Sequence, residues 1–560
     1  MSKRIFGMGS AAALGFAAAL GGYTGNAVAN GATSVTVVPE FYTAFTRNFN
    51  PFLSSRLHTT QQFIYEPLAV FNEAHGNEPV FRLATDYELA DDLKSITFTL
   101  REGVKWSDGE AFNADDVVFS FNLVKDNEEL DIEGINEWVE RAVKVDEHTV
   151  RYELKAANSL IANEIVLTPI VPEHVWGDVD NPVTYTNENP VGTGPFTEIR
   201  DFSQNLYVQC ENPDYWDASN LDVDCLRVPQ IANNDQLLAK LINGELDWTS
   251  SFVPDIEATY ASKSENYNYW FPEAGTTALV LNYEAPAEGD REAINSISFR
   301  RALSMAVDRE AVVDFAAYGY GAPNHDASGI CSNQAAWRDE AVYEQYQPYM
   351  TYSPEKAKAM LDEAGFTDGD GDGFRETPSG KPIELTIITP NGWTDFNNVG
   401  MITAEMLGEV GIRAEASTPE FAVLNQKMAR GDYDVSFTNY FYGPTPFTYF
   451  DRAYNSKYQA GEQFGRFAMH HFEDEKLDNL IDSFLKTPTK QAREGVVHKI
   501  QERIASQQVT VPVYCSAYFY QYNTSDLAGW WNEDNARGRP MIWAGIPERL
   551  LHVLDLKPRQ

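Results

Sequence analysis

Asp368-Gly369-Asp370-Gly371-Asp372-Gly373 sets carboxylates at alternate positions, the spacing with which a calcium loop brings oxygen ligands onto one ion. Position twelve of such a loop supplies a bidentate Glu; here it is Ser379, which favours a Gly-rich acidic turn and no metal. Pro378-Ser379-Gly380-Lys381-Pro382 ends like a phosphate loop, but Arg375 stands where the first Gly belongs and Pro382 replaces the magnesium-binding hydroxyl. H-E-x-x-H, G-x-S-x-G and C-x-x-C do not occur. The nine His are scattered, and the one adjacent pair, His470-His471, would point its rings apart on a helix or strand. Among 82 acidic residues no pair stands out as general acid and nucleophile. The expectation is a protein that is not an enzyme and carries no cofactor.

Aromatic rings offer a different chemistry. The chain has 11 Trp, 28 Tyr and 32 Phe. A pyranose ring has an apolar C–H face and an equatorial belt of hydroxyls, so it needs a flat aromatic surface with planar hydrogen-bonding groups at the rim. Trp393 and Asp395 stand two apart in Asn391-Gly392-Trp393-Thr394-Asp395, read as a loop outside any helix pattern. Asn439 and Phe441 are also two apart and would share a face on a strand. Taken singly, each of these residue types is as much at home in a core or a turn as at a ligand.

The elements that must position them alternate along the chain. Thr36–Val38, Ser95–Leu100 and Val150–Leu154 read as strands, and Asp235–Asn243 as a helix with Leu237, Leu238, Leu241 and Ile242 on one face. A second block runs from strand Ala278–Leu281 through helix Phe299–Val313, a helix opened by Ser353-Pro354-Glu355, strand Ile383–Ile388 and helix Val399–Val410. It ends with strand Tyr433–Phe437 and helix Leu477–Ser483. This βαβ-like series predicts an α/β fold with mixed sheets flanked by helices. The strand-like tail, Val511–Val513 and Ala517–Tyr522, is expected to return to the first lobe. The division is then 30–275 plus 517–560 as one lobe, with 76–197 as an inserted subdomain, and 276–516 as the second, with a cleft between them.

Lys3 and Arg4 precede an apolar stretch to about Leu20, and Ala27-Val28-Ala29 offers a cleavage site, so residues 1–29 read as a secretory signal. Cleavage leaves 41 basic against 82 acidic residues, a net −41 that repels phosphate backbones and anionic headgroups. Nucleic acid and peripheral lipid are excluded as partners. Four cysteines suit an oxidising compartment. Cys210 and Cys225 are close enough in sequence to staple a loop; Cys331 and Cys515 form either a second, long-range bridge or two buried thiols.

Several segments together resemble the family 5 extracellular solute-binding proteins, the oligopeptide, nickel and oligosaccharide receptors of ABC importers. They are Leu100–Gly109, Phe112–Val117, Gly192-Thr193-Gly194-Pro195-Phe196, Phe299–Arg309 and Tyr352–Ala357. Within the family, Asn48–Pro51, Phe63–Pro67, Val228–Gln236, Leu246–Asp255, Pro390–Asn398, Thr438–Phe441, Arg466–His470 and Trp543–Leu554 resemble the receptors of chitin oligosaccharides. The resemblance implies a two-lobed type II periplasmic binding protein, acting as a monomer. It would close over N-acetylglucosamine oligomers and serve an ABC permease, with a chitin-sensing histidine kinase as a possible second partner. It also implies roles: Trp393 and Trp543 sandwich the sugar; Asn439, Asp395 and Arg466 reach its hydroxyl and acetamido groups; Phe441 and Phe467 line the wall; Ser250 lies close by. His58 stands where relatives carry a basic residue, and a ring facing sugar there would bring pH dependence. Cys331 and Cys515 both depart from the subgroup's pattern, which suggests that they pair.

Overall fold

Two hydrophobic cores organise the chain, each built on its own sheet. The computed structural model describes residues 33–458 and 470–559. The signal stretch, Arg466 and Phe467 lie outside them.

The first sheet orders seven strands as Tyr267–Tyr269, Gln521–Asn523, Trp248–Thr249, Ser34–Val38, Cys225–Pro229, Leu206–Glu211 and Phe196–Phe202. Ser34–Val38 sits in the middle, parallel to both neighbours, with Val35 against Leu226 and Val37 against Trp248. Flanked by strands on both edges, its Val35, Val37 and Val38 are all buried, as a β-branched run in a central strand should be. A four-stranded antiparallel sheet, Ala84–Leu89, Ser95–Leu100, Thr149–Leu154 and Val139–Asp146, packs into the same core.

The second sheet orders six strands as Ala322–Pro323, Thr510–Ala517, Glu273–Leu281, Val435–Tyr440, Glu384–Ile388 and Arg413–Ser417, of which the first four pair antiparallel and the last three pair parallel. Glu273–Leu281 is buried from Ala274 to its end. Helices Ile297–Ala306, Arg309–Phe315, Thr394–Glu409 and Glu475–Leu485 contribute buried residues to this core.

The chain passes between the sheets along two short segments that hold each other. Trp270 N–H donates to Tyr520 O at 3.0 Å, and Tyr518 N–H donates to Pro272 O at 2.8 Å. Thr510–Ala517 therefore belongs to the second sheet and Gln521–Asn523 to the first.

The motifs that carried the resemblance are scaffold here. Asn113 caps helix Ala114–Asp126, accepting from Asp115 N–H at 2.7 Å; Asp116 answers by accepting from Asn113 N–H at 3.1 Å and from Trp106 Nε1–H at 3.2 Å. Gly192 and Gly194 lie so close to the Phe63-Ile64 backbone that a Cβ would sit 2.1 Å and 2.5 Å from its carbonyl oxygens.

Two element predictions need correction, and one helix lies where none was predicted. Phe299–Val313 is two helices, because Asp308 accepts from Ala311 N–H at 3.0 Å and starts the second. The helix expected from Val399 begins at Thr394, so Asp395 stands in its first turn and not in a loop. An 18-residue helix, Lys490–Gln507, was not expected at all.

Candidate functional site

Gly392, at φ +81°, turns the chain after strand Glu384–Ile388 and lets Trp393 lead into helix Thr394–Glu409. Trp393 stacks on Phe421 with centroids 5.5 Å apart and meets Phe396 edge-on at 5.2 Å. With its nitrogen facing the loop, the Asn397 amide donates to Pro390 O at 2.8 Å and Trp393 O at 3.1 Å, tying the turn to the helix. Asp395 is 6% exposed; burial raises its carboxyl to about pKa 6, against backbone N–H donors of the helix start that pull it down.

Asn439 lies on strand Val435–Tyr440 opposite Thr277, and Phe441 follows the strand. Phe441 stacks on Tyr518 at 5.4 Å and 10°, and Tyr518 meets Trp543 edge-on at 6.3 Å. A row of rings thus leads from the second sheet, over a crossing segment, to Trp543.

Trp543 is held differently. Ile542, just before it, donates its N–H to Ser250 Oγ at 3.1 Å, and its carbonyl accepts from Arg549 Nη1 at 2.7 Å. Arg549 is fully buried. It donates also to Gln62 Oε1 (3.0 Å), His58 O (2.6 Å) and Gln61 O (2.7 Å), and its guanidinium lies 4.7 Å over the Phe63 ring. Burial lowers its pKa to about 9, which leaves it protonated at neutral pH.

Trp393, Asp395, Asn439 and Phe441 on one side, and Trp543 and Ser250 on the other, line one cavity of about 270 Å³. His58 does not line it: the ring lies behind Glu40, Nδ1 to Oε2 3.8 Å, and burial together with Arg56 and Arg549 lowers its pKa to about 3. A neutral His58 gives no titration near pH 6.5. The cavity also takes in Glu40, Phe252, Tyr320, Tyr514 and Phe519, which sequence reasoning missed. The aromatic density of Tyr514–Tyr522 was a visible signal for Tyr514 and Phe519 alone.

Both cysteine pairs are joined, Cys210–Cys225 within the first sheet and Cys331–Cys515 beside the cavity residues Tyr514 and Ser516. In the acidic turn, Glu376 joins Asp368, Asp370 and Asp372, with carboxylate oxygens within 4.8 Å of one another. Asp368 accepts from Gly371 N–H (2.7 Å) and Gly373 N–H (3.0 Å), Glu376 accepts from Gly369 N–H (2.7 Å), and Arg413 pairs with Asp372.

Residues 78–461 match the family described as bacterial extracellular solute-binding proteins, family 5 middle. The chain belongs to that family. This solute-binding protein is 27% identical over 362 residues to the Oligopeptide-binding protein AppA of Bacillus subtilis; the match spans 62% of this chain and 62% of that relative's length. It is 24% identical to the Di/tripeptide-binding protein 1 of Pseudomonas aeruginosa, across 88% of this chain and 92% of the relative. Among solved structures it is similar to a mannohexaose-bound periplasmic oligopeptide-binding protein of Thermotoga maritima. The identity is 25% and the TM-score 0.84, covering 94% of this chain and 99% of that one. The type II, two-lobed α/β fold of the family is therefore the fold of this solute-binding protein. No helix among its described residues is long and apolar enough to cross a membrane.

Proposed function

We propose that the protein is a periplasmic receptor that captures chitin oligosaccharides, chitobiose and longer, and hands them to an ABC permease in the inner membrane. The observation that carries this reading is the cavity lined by Trp393 and Trp543 together with Asp395 and Asn439. Indole faces suit the C–H faces of pyranose rings, and a carboxylate and an amide suit hydroxyl and acetamido groups. Closure follows as a population shift: a sugar touching both walls stabilises the closed form, and one touching a single wall does not. Arg466 and Phe467, if they add to the rim as the resemblance implies, do so from outside the described residues. The same resemblance gives a chitin-sensing histidine kinase as a second partner of the closed or open receptor. The role is binding and not catalysis, in keeping with the family.

A second reading, an oligopeptide receptor, is favoured by the names of the relatives. Against it, the charged side chains that line the cavity among the described residues are Glu40 and Asp395. They suit a peptide amine and repel its terminal carboxylate. A thermal-shift panel of chitobiose, cellobiose, mannobiose and tri-alanine decides. Stabilisation by chitobiose above the others supports the proposal. Stabilisation by tri-alanine alone, weakening with salt, replaces it with the peptide reading.

A further inference from the structure

The aromatic lining does not stop at the cavity wall. Phe252, Tyr320 and Phe519 line its far side, with Phe252 5.9 Å from Tyr320 and 5.6 Å from Phe519. Tyr320 is fixed in place: its hydroxyl accepts from Ile256 N–H at 2.6 Å and donates to Val253 O at 3.1 Å. Tyr318 continues the set outward. Its ring lies 5.8 Å from Phe252 and 6.5 Å from Tyr320, nearly parallel to the latter at 29°, and the residue is 43% exposed.

The backbone at Tyr318 is unusual for such a side chain. Helix Arg309–Phe315 ends there, with Gly319 N–H closing onto Val313 O at 2.9 Å, and Tyr318 adopts φ +55°. This left-handed position after a helix ordinarily takes Gly, because a Cβ crowds the following carbonyl. Here the glycine, Gly319, comes one residue later. The strain is not offset by burial, since nearly half of Tyr318 faces solvent. A strained backbone that presents an open ring beside a binding cavity marks a functional position.

We infer that Tyr318, backed by Phe252 and Tyr320, is an outer stacking subsite for a further β-linked pyranose ring of an oligosaccharide whose first rings occupy the cavity. The inference rests on the sugar reading of that cavity. The occupant follows from continuity: Phe252 and Tyr320 belong to both the cavity lining and the outer ring set. It follows also from size, because about 270 Å³ is at the small end for ligand sites, so a longer chain has to emerge. An uncharged, flat, rigid platform suits the C–H face of another sugar.

The test is calorimetric titration of chitobiose and chitopentaose into wild type, Tyr318→Gly and Tyr318→Asn, with Phe315→Ala as control. Phe315, the last residue of the helix that precedes Tyr318, is 72% exposed and makes no ring contact with the cavity aromatics among the described residues. The inference predicts that wild type binds the pentamer more tightly than the dimer. Both Tyr318 variants should lower the pentamer-to-dimer affinity ratio by roughly 3- to 10-fold. Tyr318→Gly should melt no lower than wild type, since it relieves the backbone, and Phe315→Ala should leave the ratio unchanged. An unchanged ratio in both Tyr318 variants overturns the subsite while the cavity reading stands. Equal loss for dimer and pentamer places Tyr318 in the support of the cavity and also overturns it. Wild type that binds neither sugar removes the sugar reading and the subsite with it.

Discussion

The two walls of the cavity are built on opposite principles. The Trp393 wall is held by rings: Phe396 and Phe421 pack against the indole, and one amide, Asn397, ties its turn. The Trp543 wall is held by a buried cation that makes four hydrogen bonds to carbonyl and amide oxygens and has no carboxylate among those partners. Ring packing tolerates small shifts, whereas a buried hydrogen-bond hub is satisfied in one geometry only. The contrast describes one pinned wall and one compliant wall.

The largest expected effect breaks the second lobe, not the pinned wall. Replacing Cys331 and Cys515 by Ser opens a bridge across 184 residues and should cost roughly 5 kcal/mol of unfolding free energy on the chain-entropy account. The same change at Cys210 and Cys225, 15 residues apart, should cost roughly 3 kcal/mol. Chemical denaturation of the two variants checks the order. Arg549→Met strikes the pinned wall: it leaves the His58 and Ile542 carbonyls without this donor, while the Gln61 carbonyl keeps only Phe63 N–H at 2.7 Å. It should lower stability by about 3–5 kcal/mol and weaken sugar binding together.

Asp395 sharpens the comparison through pH. Its folded pKa, near 6, exceeds the unfolded value, so the folded state binds more protons between about pH 4 and 6. Its contribution to stability is full below the unfolded pKa and is lost as pH rises through about 6. Asp395→Asn removes that loss and should stabilise the protein by about 1–3 kcal/mol at pH 7.5 while changing little at pH 4. If the carboxylate accepts from sugar, wild-type affinity rises from pH 5 to 7 and the variant's stays flat and weaker, as titrations at several pH values will read. The smallest effect is expected at Ser250→Ala. Loss of one acceptor for Ile542 N–H should cost about 1 kcal/mol in affinity or stability.

Scaffold and site were unequally legible. Strand Ser95–Leu100 and the buried Leu237 and Leu241 of the Asn234–Ile242 helix follow from local periodicity; the close approach of Gly192 and Gly194 to Phe63-Ile64 does not, since it joins segments far apart in sequence. Asn439 was legible from strand geometry, whereas Phe441 lies one residue beyond strand Val435–Tyr440 and lines the cavity from after its end. Phe252, Tyr320 and Phe519 were not, because nothing local separates a cavity ring from a core ring in a chain this rich in both; only the crossing segments bring them together. Helix Lys490–Gln507 escaped because its buried stripe is thin, Val497, Ile500 and Ile504 amid charged and polar residues. Arg549 escaped because charged residues are expected at the surface, and its role depends on carbonyls almost 500 positions away.

The claim that a sugar sits between Trp393 and Trp543 is tested most directly by calorimetric titration of chitobiose into wild type and Trp393→Ala. The variant should unfold within about 1 kcal/mol of wild type, since Trp393 is only partly buried, and lose about 2–4 kcal/mol of binding free energy. Wild-type affinity in the variant, or no chitobiose heat in the wild type, would contradict the account.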